Sequence, residues 1–496
     1  MEVPPREGGT VTHLDFGEFA HDLLNGIRRL HSVHGPIAVI EDGGQQVVFL
    51  FDPAFNRQVL SDTERFHARF FAVRGPKRSA QRRLTCGLLA MNGDQHRRNR
   101  RVVKEPFGLR AISGYGEMIG KLTQEMLSGW RPGETRDIAE EMRQYMLRVT
   151  STLLFGLDDP ERAYRLGEMI ARWVSLNDDV GVGALVPSEQ FHRHYEELLR
   201  YAKQLEEEIL ALIHMRRTSE ELGRDVLSNL VRTHDEEGGL SDEELVGQAT
   251  VLFSAAHMTT AHSLTWTLFL LAQHPSIMGA LWNEFQVDHD SRGGDLSTQS
   301  DGSLPKGDDL SLLDRVIKES MRILPASAYS QRVNMVEVTL GPYDFPRGTG
   351  FVFTPLVTHR LPDLYPQPDR FLPDRWIGLQ PSPYGYLPFG AGPRLCVGGP
   401  LATAIIRIAL RQILERFRLS VVPGANVSAH IESTMLVPTN GLPMLIDLAD
   451  GQFASSPISG NLHELVDLSE VAAFNADEYY AIPVVEQTSA APRLPK

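Results

Sequence analysis

Residues Phe389-Gly390-Ala391-Gly392-Pro393-Arg394-Leu395-Cys396-Val397-Gly398-Gly399 set one thiol among glycines, directly ahead of an apolar stretch with helical spacing. Glycines let the backbone approach a flat ligand and aim amide N–H groups at a sulfur, and Arg394 adds a cation two residues away. The other cysteine of the chain is Cys86. Neither a disulfide framework nor a four-cysteine metal site is therefore available, and Cys396 acts alone if it acts. A metal-bound thiolate under a macrocycle that carries carboxylates suits such a loop. The plain alternative is a buried structural cysteine ahead of a helix.

Further groupings carry chemistry. His96 and Arg100, in Gln95-His96-Arg97-Arg98-Asn99-Arg100-Arg101, fall four apart, so on a helix they share a face and offer two donors to a carboxylate. Glu319 and Arg322, in Lys318-Glu319-Ser320-Met321-Arg322, are also neighbours on one helical face. Most such pairs are surface salt bridges worth under about 1 kcal/mol. Thr259 and Thr260 lie inside a long apolar run that opens on the capping box Ser241-Asp242-Glu243-Glu244 and stops at His274-Pro275. Apart from Gln248, His257 and His262 its middle is apolar nearly all round, which predicts a helix crossing the protein interior rather than a membrane. A mid-helix hydroxyl can bond back to the carbonyl four residues earlier and open a groove, a role suited to Thr259. For Thr260 simple packing suffices.

Read on to Ala402 as Cys-x-Gly-x-x-x-Ala, the cysteine loop is similar, position by position, to the heme-binding signature of the cytochrome P-450 superfamily. The resemblance spans residues 30 to 447 and is to the soluble bacterial type. It implies a heme-thiolate monooxygenase that inserts one oxygen atom from dioxygen into a small lipophilic organic substrate. The implied cofactor is heme b (iron protoporphyrin IX), with electrons drawn indirectly from NAD(P)H through a separate ferredoxin or flavodoxin and its reductase. Carried over residue by residue, Cys396 is the axial iron ligand, Phe389, Gly390 and Gly398 belong to the heme loop, and His96, Arg100, Arg332 and Arg394 hold the propionates. Glu319 and Arg322 are joined by Arg370, from Pro368-Asp369-Arg370-Phe371, in a buried structural cluster. Thr259 organises water for O–O cleavage.

At the position before that threonine the superfamily usually has an acid that relays protons; here it is Met258, whose thioether cannot deliver one. Water at Thr259 or a substrate group then takes over, or peroxide serves as oxidant, or the enzyme is a rearranging heme-thiolate enzyme. A non-catalytic heme-binding protein is the reading from another class. By resemblance the substrate pocket takes in the loop from 70 to 90 with Ala255, Met258, Ser327, Ala328 and Val437, mostly small or apolar. Arg97, Arg98 and Arg101 read either as a solvated face or as a cationic patch that steers an acidic electron carrier.

These residues need elements to position them. Apolar spacing predicts a helix over 16–32, strands over 37–40 and 46–51 after Gly35-Pro36, and a strand pair at 333–340 and 350–354. Amphipathic stretches follow at 115–130, 137–155, 191–215 and 241–273. The expected fold is mainly α with a small β portion, in the cytochrome P-450 arrangement: a long central helix crosses the core, and the heme lies between it and the cysteine loop with its helix. Residues 1–449 form one catalytic domain, β-rich near 36–52 and 333–360. Residues 287–311, crowded with Asp, Ser and Gly, read as a flexible surface insertion, and 450–496 as a poorly ordered acidic extension of unknown role. At 496 residues the chain passes the roughly 250–300 at which a single core stops growing, which leaves room for a buried cofactor. A net charge of −14 argues against nucleic acid as partner. With no apolar run of signal or membrane-span length and two scattered cysteines, a soluble cytoplasmic location is expected.

Overall fold

The computed structural model describes residues 10–69, 73–156, 158–183, 189–219, 223–236, 240–292 and 310–469. The chain begins with β1 (Val11–His13), α1 (Phe16–His21), α2 (Leu23–His34), the hairpin β2 (Ile37–Asp42) and β3 (Gln45–Leu50), α3 (Pro53–Ser61) and β4 (Phe66–Ala68). Helices α4 (Ala80–Leu84), α5 (Gly93–Lys104) and α6 (Leu109–Ser128) lead to β5 (Glu134–Asp137). A helical block follows: α7 (Ile138–Phe155), α8 (Pro160–Gly183), α9 (Glu189–Thr218), α10 (Val226–Glu236), α11 (Asp242–Gln273), α12 (Pro275–Arg292) and α13 (Leu312–Ile323). Next come β6 (Ser330–Asn334), β7 (Val338–Leu340), β8 (Tyr343–Phe345), β9 (Gly350–Phe353) and α14 (Pro355–Thr358). After a long loop the chain closes with α15 (Gly399–Arg416), β10 (Phe417–Val421), β11 (Ala429–Glu432), β12 (Met435–Pro438) and β13 (Pro443–Leu448).

The expected mainly helical architecture is present. A six-stranded sheet has the order β1-β2-β3-β9-β6-β4, a second sheet the order β10-β13-β5, and β7-β8 and β11-β12 are hairpins. In the large sheet Arg332 of β6 lies opposite Phe351 of β9 and Ala68 of β4, which fixes it on an interior strand. Alternation along β2 and β3 buries Ile37, Val39, Val48 and Leu50 on one face.

Helix α11 is the axis of the helical part. Ser241 and Glu244 make the reciprocal capping box, and 32 residues at 1.5 Å each give a rod of roughly 48 Å. Trp266, Phe253 and Phe269 on it are fully buried, so the helix is apolar all round because protein surrounds it. Close approach depends on glycine at one crossing: a Cβ on Gly87, after α4, would stand 2.3 Å from the Gly247 carbonyl oxygen. The loop after α4 thus lies backbone to backbone on α11.

Two boundaries differ from expectation. The polar segment expected at 287–311 is interrupted by α12, which runs on to Arg292, and residues 293–309 fall outside the described residues. The C-terminal extension does not begin to unpack at 450. Residues 450–469 form a strap whose Leu462, Leu465 and Val466 are buried; only 470–496 lie outside the described residues. Asn461 exchanges hydrogen bonds with Ala429, donating to its carbonyl at 2.8 Å, and Arg28 of α2 donates to the Glu464 carbonyl at 2.6 Å. Further on, the Asp467 amide donates to the Asp369 carbonyl at 2.7 Å. Acidic residues line the strap's outside, and its apolar residues, three and four apart, are turned inward.

Candidate functional site

The thiol loop is built as its glycines require. Gly390 and Gly392 have φ of +69° and +71°, and a Cβ on Gly392 would stand 2.5 Å from the Leu60 carbonyl oxygen. The Cys396 amide donates to the Phe389 carbonyl at 2.9 Å, which closes the loop, and the Phe389 ring packs against Gly399. Cys396 itself is exposed, as is Leu395 beside it. The sulfur sits at the N-terminus of the 18-residue α15, where backbone N–H groups and the helix dipole favour negative charge. Although the sulfur's surface is open, the dense protein around it holds the thiol's pKa above its ordinary value, outweighing the amides of Gly398 and Gly399 and the Arg100 guanidinium, which pull it down.

Four cationic or potentially cationic side chains converge beside it from separate elements. His96 and Arg100 project from α5, Arg332 from β6 and Arg394 from the loop. Arg100 donates to the Leu395 carbonyl and Arg394 to the Met91 carbonyl and, at 2.7 Å, to Asn92 Oδ1. Burial and then the nearby Arg394, Arg100 and Arg332 push His96 down to about 4. Burial and then Arg394 lower Arg332 to about 10, and burial and then Arg100 lower Arg394 to about 10. Among the described residues no carboxylate is a leading cause of any of these shifts, and the buried Nε of Arg394 has no hydrogen-bond partner there. Like charges held together in this way call for an anion. The sequence did not single out Asn92, which also accepts from the Ala68 amide at 2.9 Å and donates to the Ala68 carbonyl at 3.2 Å; its place before Gly93 at the start of α5 was the available signal.

On α11 the hydroxyls bond back along the helix: Thr259 Oγ1 donates to the Ala255 carbonyl at 2.7 Å and Ser263 Oγ to the Thr259 carbonyl at 2.9 Å. Ala255 is exposed, and Met258 and Thr259 are half-buried. Thr260 is buried, in keeping with packing. Near the N-terminus of α11, Gln248 accepts from the Leu88 amide at 3.1 Å and donates to Asn99 Oδ1 at 3.0 Å, and Asn99 donates to Glu244 at 3.1 Å. This buried chain fixes the loop after α4, α5 and α11 to one another, and sequence reasoning missed it because its members are far apart in the chain.

The buried ion cluster has a different third member from the one expected. Glu319 receives Arg322 Nε and Nη2 at 2.9 and 2.8 Å, Arg375 Nε at 2.8 Å, the Leu372 amide at 3.0 Å and Trp376 Nε1 at 3.0 Å. All three charged side chains are fully buried. Burial raises the Glu319 pKa, but Arg322 and Arg375 outweigh it and hold the carboxyl below its ordinary range. Arg370 takes part through its carbonyl, which accepts from Arg322 at 3.0 Å, while its side chain turns outward to Gln367 and, at 3.7 Å, to Asp467 of the strap. The tripeptide Pro-Asp-Arg occurs twice, at 368–370 and 373–375. The second copy enters the 3-10 turn Pro373–Ile377 and carries its arginine inward.

The cytochrome P450 family profile matches residues 9–445. This chain belongs to the cytochrome P450 family. Among relatives of this P450, the cytochrome P450 135B1 of Mycobacterium tuberculosis is 31% identical over 429 residues, 84% of this chain and 87% of that protein. The cyclooctatin synthase of Streptomyces melanosporofaciens is 30% identical over 407 residues, 79% and 85% of the two chains. The retinoic acid bound cyanobacterial CYP120A1 has the same fold, with a TM-score of 0.70 at 22% identity over 85% of this chain and 93% of that one. The P450 is thus a monooxygenase of a heme-iron family. Among the described residues no helix is long and apolar enough to cross a membrane.

The residues of this P450 fit a heme. An accessible thiol at a helix N-terminus, four cationic or potentially cationic groups with a buried unpartnered guanidinium nitrogen, and the small exposed Ala255 on α11 match a ligand with a flat body and two carboxylates. The pocket residues expected by resemblance divide. Ala255 is exposed and Met258 half-buried, whereas Ala328 and Val437 are buried at 0% and 4% and contribute mainly backbone. Ala328 donates to the Thr434 carbonyl at 2.9 Å, Ser327 bridges to Met435, and Trp266 Nε1 donates to the Leu436 carbonyl at 2.9 Å. Cys86 and Leu89, in the loop on α11, are exposed.

Proposed function

We propose that this chain is a heme-thiolate monooxygenase acting on a hydrophobic small molecule, with electrons from a separate ferredoxin or flavodoxin. The observation that carries this reading is the accessible Cys396 at the head of α15 beside a group of cations that no carboxylate among the described residues pairs with. Cys396 would ligate the iron, His96, Arg100, Arg332 and Arg394 would hold the propionates, and Phe389, Gly390 and Gly398 would shape the loop around the sulfur. When bound, the heme supplies reductive activation of dioxygen and transfer of one oxygen atom to substrate. Burial holds the free thiol's pKa above its ordinary value, and the amides of Gly398 and Gly399 and the Arg100 cation act against that rise. Thr259 would hold water against the face of α11 opened by Ala255. The stacked loop after α4 would exclude bulk solvent and leave Met258, Leu89 and Ala255 as apolar lining for the substrate.

Docking of an acidic carrier is supported by the exposed Arg97, Arg101 and Lys104, which border a cavity of about 390 Å³ that the propionate-site residues His96, Arg100 and Arg394 also line. Arg97 and Arg98 are both exposed, and each is paired with a carboxylate, Asp94 and Glu244 respectively. The deciding experiment reconstitutes the purified protein with heme, records the reduced carbon monoxide spectrum, and screens a lipophilic library, with cyclooctat-9-en-7-ol and retinoic acid included, for spin-state shifts and product. Turnover is compared with reductase plus dioxygen and with peroxide alone. A thiolate-type spectrum with reductase-driven hydroxylation is expected. Product from peroxide alone would mark a peroxide-driven enzyme, and a spectrum without shift or turnover a heme-binding protein without catalysis.

A further inference from the structure

Resting on that reading, we propose that His262 delivers protons to the water held at Thr259, taking over from the acid that Met258 replaces. Inserting one oxygen atom of dioxygen into substrate and releasing the other as water consumes two electrons and two protons. The carrier supplies the electrons, and the protons must come from solvent. Met258 cannot carry them. The Thr259 hydroxyl donates to the Ala255 carbonyl, so it presents lone pairs and needs a donor beside it.

The polar side chains that interrupt the apolar surface of α11 narrow the choice. Gln248 is committed to Leu88 and Asn99. His257 Nε2 is held by the Arg143 carbonyl at 3.1 Å, on the side of the helix that faces α7. His262 is 7% exposed, and among the described residues its buried Nε2 has no hydrogen-bond partner. Its position follows from helix geometry: it lies one turn beyond both Met258 and Thr259, at i+4 and i+3, and two turns beyond the exposed Ala255. A buried ring nitrogen left unpaired costs free energy unless water or a transient partner meets it. Burial, and after it His257, push this imidazole down to about 4. It is therefore neutral near pH 7, the form that takes a proton at one ring nitrogen as it gives one up at the other. No net charge is left behind, and solvent water resets the tautomer.

The test uses the heme-loaded protein with a surrogate plant ferredoxin and its reductase, and dioxygen as the probe. In His262→Phe, hydrogen peroxide released per dioxygen consumed should rise, and coupled turnover of any library hit should fall roughly tenfold, below the ~100-fold typical of a donor in direct contact. His262→Gln should lie between the two. The rate of the first electron transfer and peroxide-driven turnover should be unchanged, because peroxide brings its own protons. Met258→Glu placed in His262→Phe should restore coupling. Independently of turnover, ¹⁵N resonances of the ring in the diamagnetic reduced carbon monoxide form should show a neutral imidazole at pH 7 whose Nε2 exchanges with water. Unchanged peroxide release and solvent isotope effect in both variants, or a ring cationic at pH 7, would overturn the proposal. Absence of a thiolate-type spectrum in the parent protein would instead remove the heme-thiolate reading on which it rests.

Discussion

Arg370 and Arg375 sit in identical tripeptides five residues apart, and their substitution separates two accounts of the ion cluster. Arg375 is fully buried and donates to Glu319 Oε1 at 2.8 Å, to the Pro366 carbonyl at 2.7 Å and to the Gln367 carbonyl at 3.1 Å. Arg375→Leu strands those acceptors and removes one of the two cations that offset burial of Glu319. Breaking a buried pair from one side costs about 3–5 kcal/mol. The side chain of Arg370 is 29% exposed, and its ion pair with Asp467 is 3.7 Å long. Its carbonyl, which does the work at the cluster, survives any side-chain change, so Arg370→Leu should cost under about 1 kcal/mol. With roughly 2 cal/mol/K of unfolding entropy per residue, a chain of 496 residues should lose about 4 °C in Tm for Arg375→Leu and under about 1 °C for Arg370→Leu. Denaturant unfolding and calorimetry read both values, and heme retained after gel filtration gives a second measure. Equal losses for the two arginines would refute the assignment.

Other outcomes follow from the same geometry. Cys396→Ser should abolish the thiolate-type carbon monoxide spectrum and leave the far-UV circular dichroism unchanged, since the loop is closed by the residue's amide and not by its sulfur. His359 is held neutral between the Arg322 carbonyl at 3.2 Å and the Leu387 amide at 2.7 Å, and burial, then Arg322, depress it to about 3. The unfolded chain takes up this proton near pH 6.5 and the native one does not, so the stability contributed here is full above that pH and lost as pH falls toward 3. Between pH 7 and 4.5 the loss from this site is roughly 2.5 kcal/mol, and in denaturant titrations His359→Gln should flatten the slope. Gly87→Ala forces a Cβ to 2.3 Å from the Gly247 oxygen. It should cost about 1–3 kcal/mol, with faster hydrogen exchange at the Leu88 amide.

Legibility in the sequence tracked how local the physics was. The capping box at Ser241, the glycines around Cys396 and the pairing of Glu319 with Arg322 are set by residues a few positions apart, and each stands where the spacing placed it. The partner of Glu319 was not local. Two copies of Pro-Asp-Arg compete for it, and only the turn after Leu372 decides which arginine points inward; Trp376, bonded to Glu319 from the second copy, was the missed signal. The strap was misread for a related reason: acidic composition suggested an unpacked tail, yet Leu462, Leu465 and Val466 are spaced to bury one side. The chain from Glu244 through Asn99 and Gln248 to Leu88 has no sequence signature, because each link joins a different element.

The strap also carries a consequence for synthesis. Residues 461–467 close hydrogen bonds onto Arg28, Ala429 and Asp369, so the earliest helices and the segment that feeds Arg322 are held by some of the later residues to leave the ribosome. Domains ordinarily mature from the N-terminus as they emerge. In this chain those contacts stay unmade until residues 461–467 have cleared the ribosomal exit tunnel, well after they are translated. Released chains truncated before residue 461 should stay protease-sensitive at 360–376, where chains that keep residues 461–467 are protected.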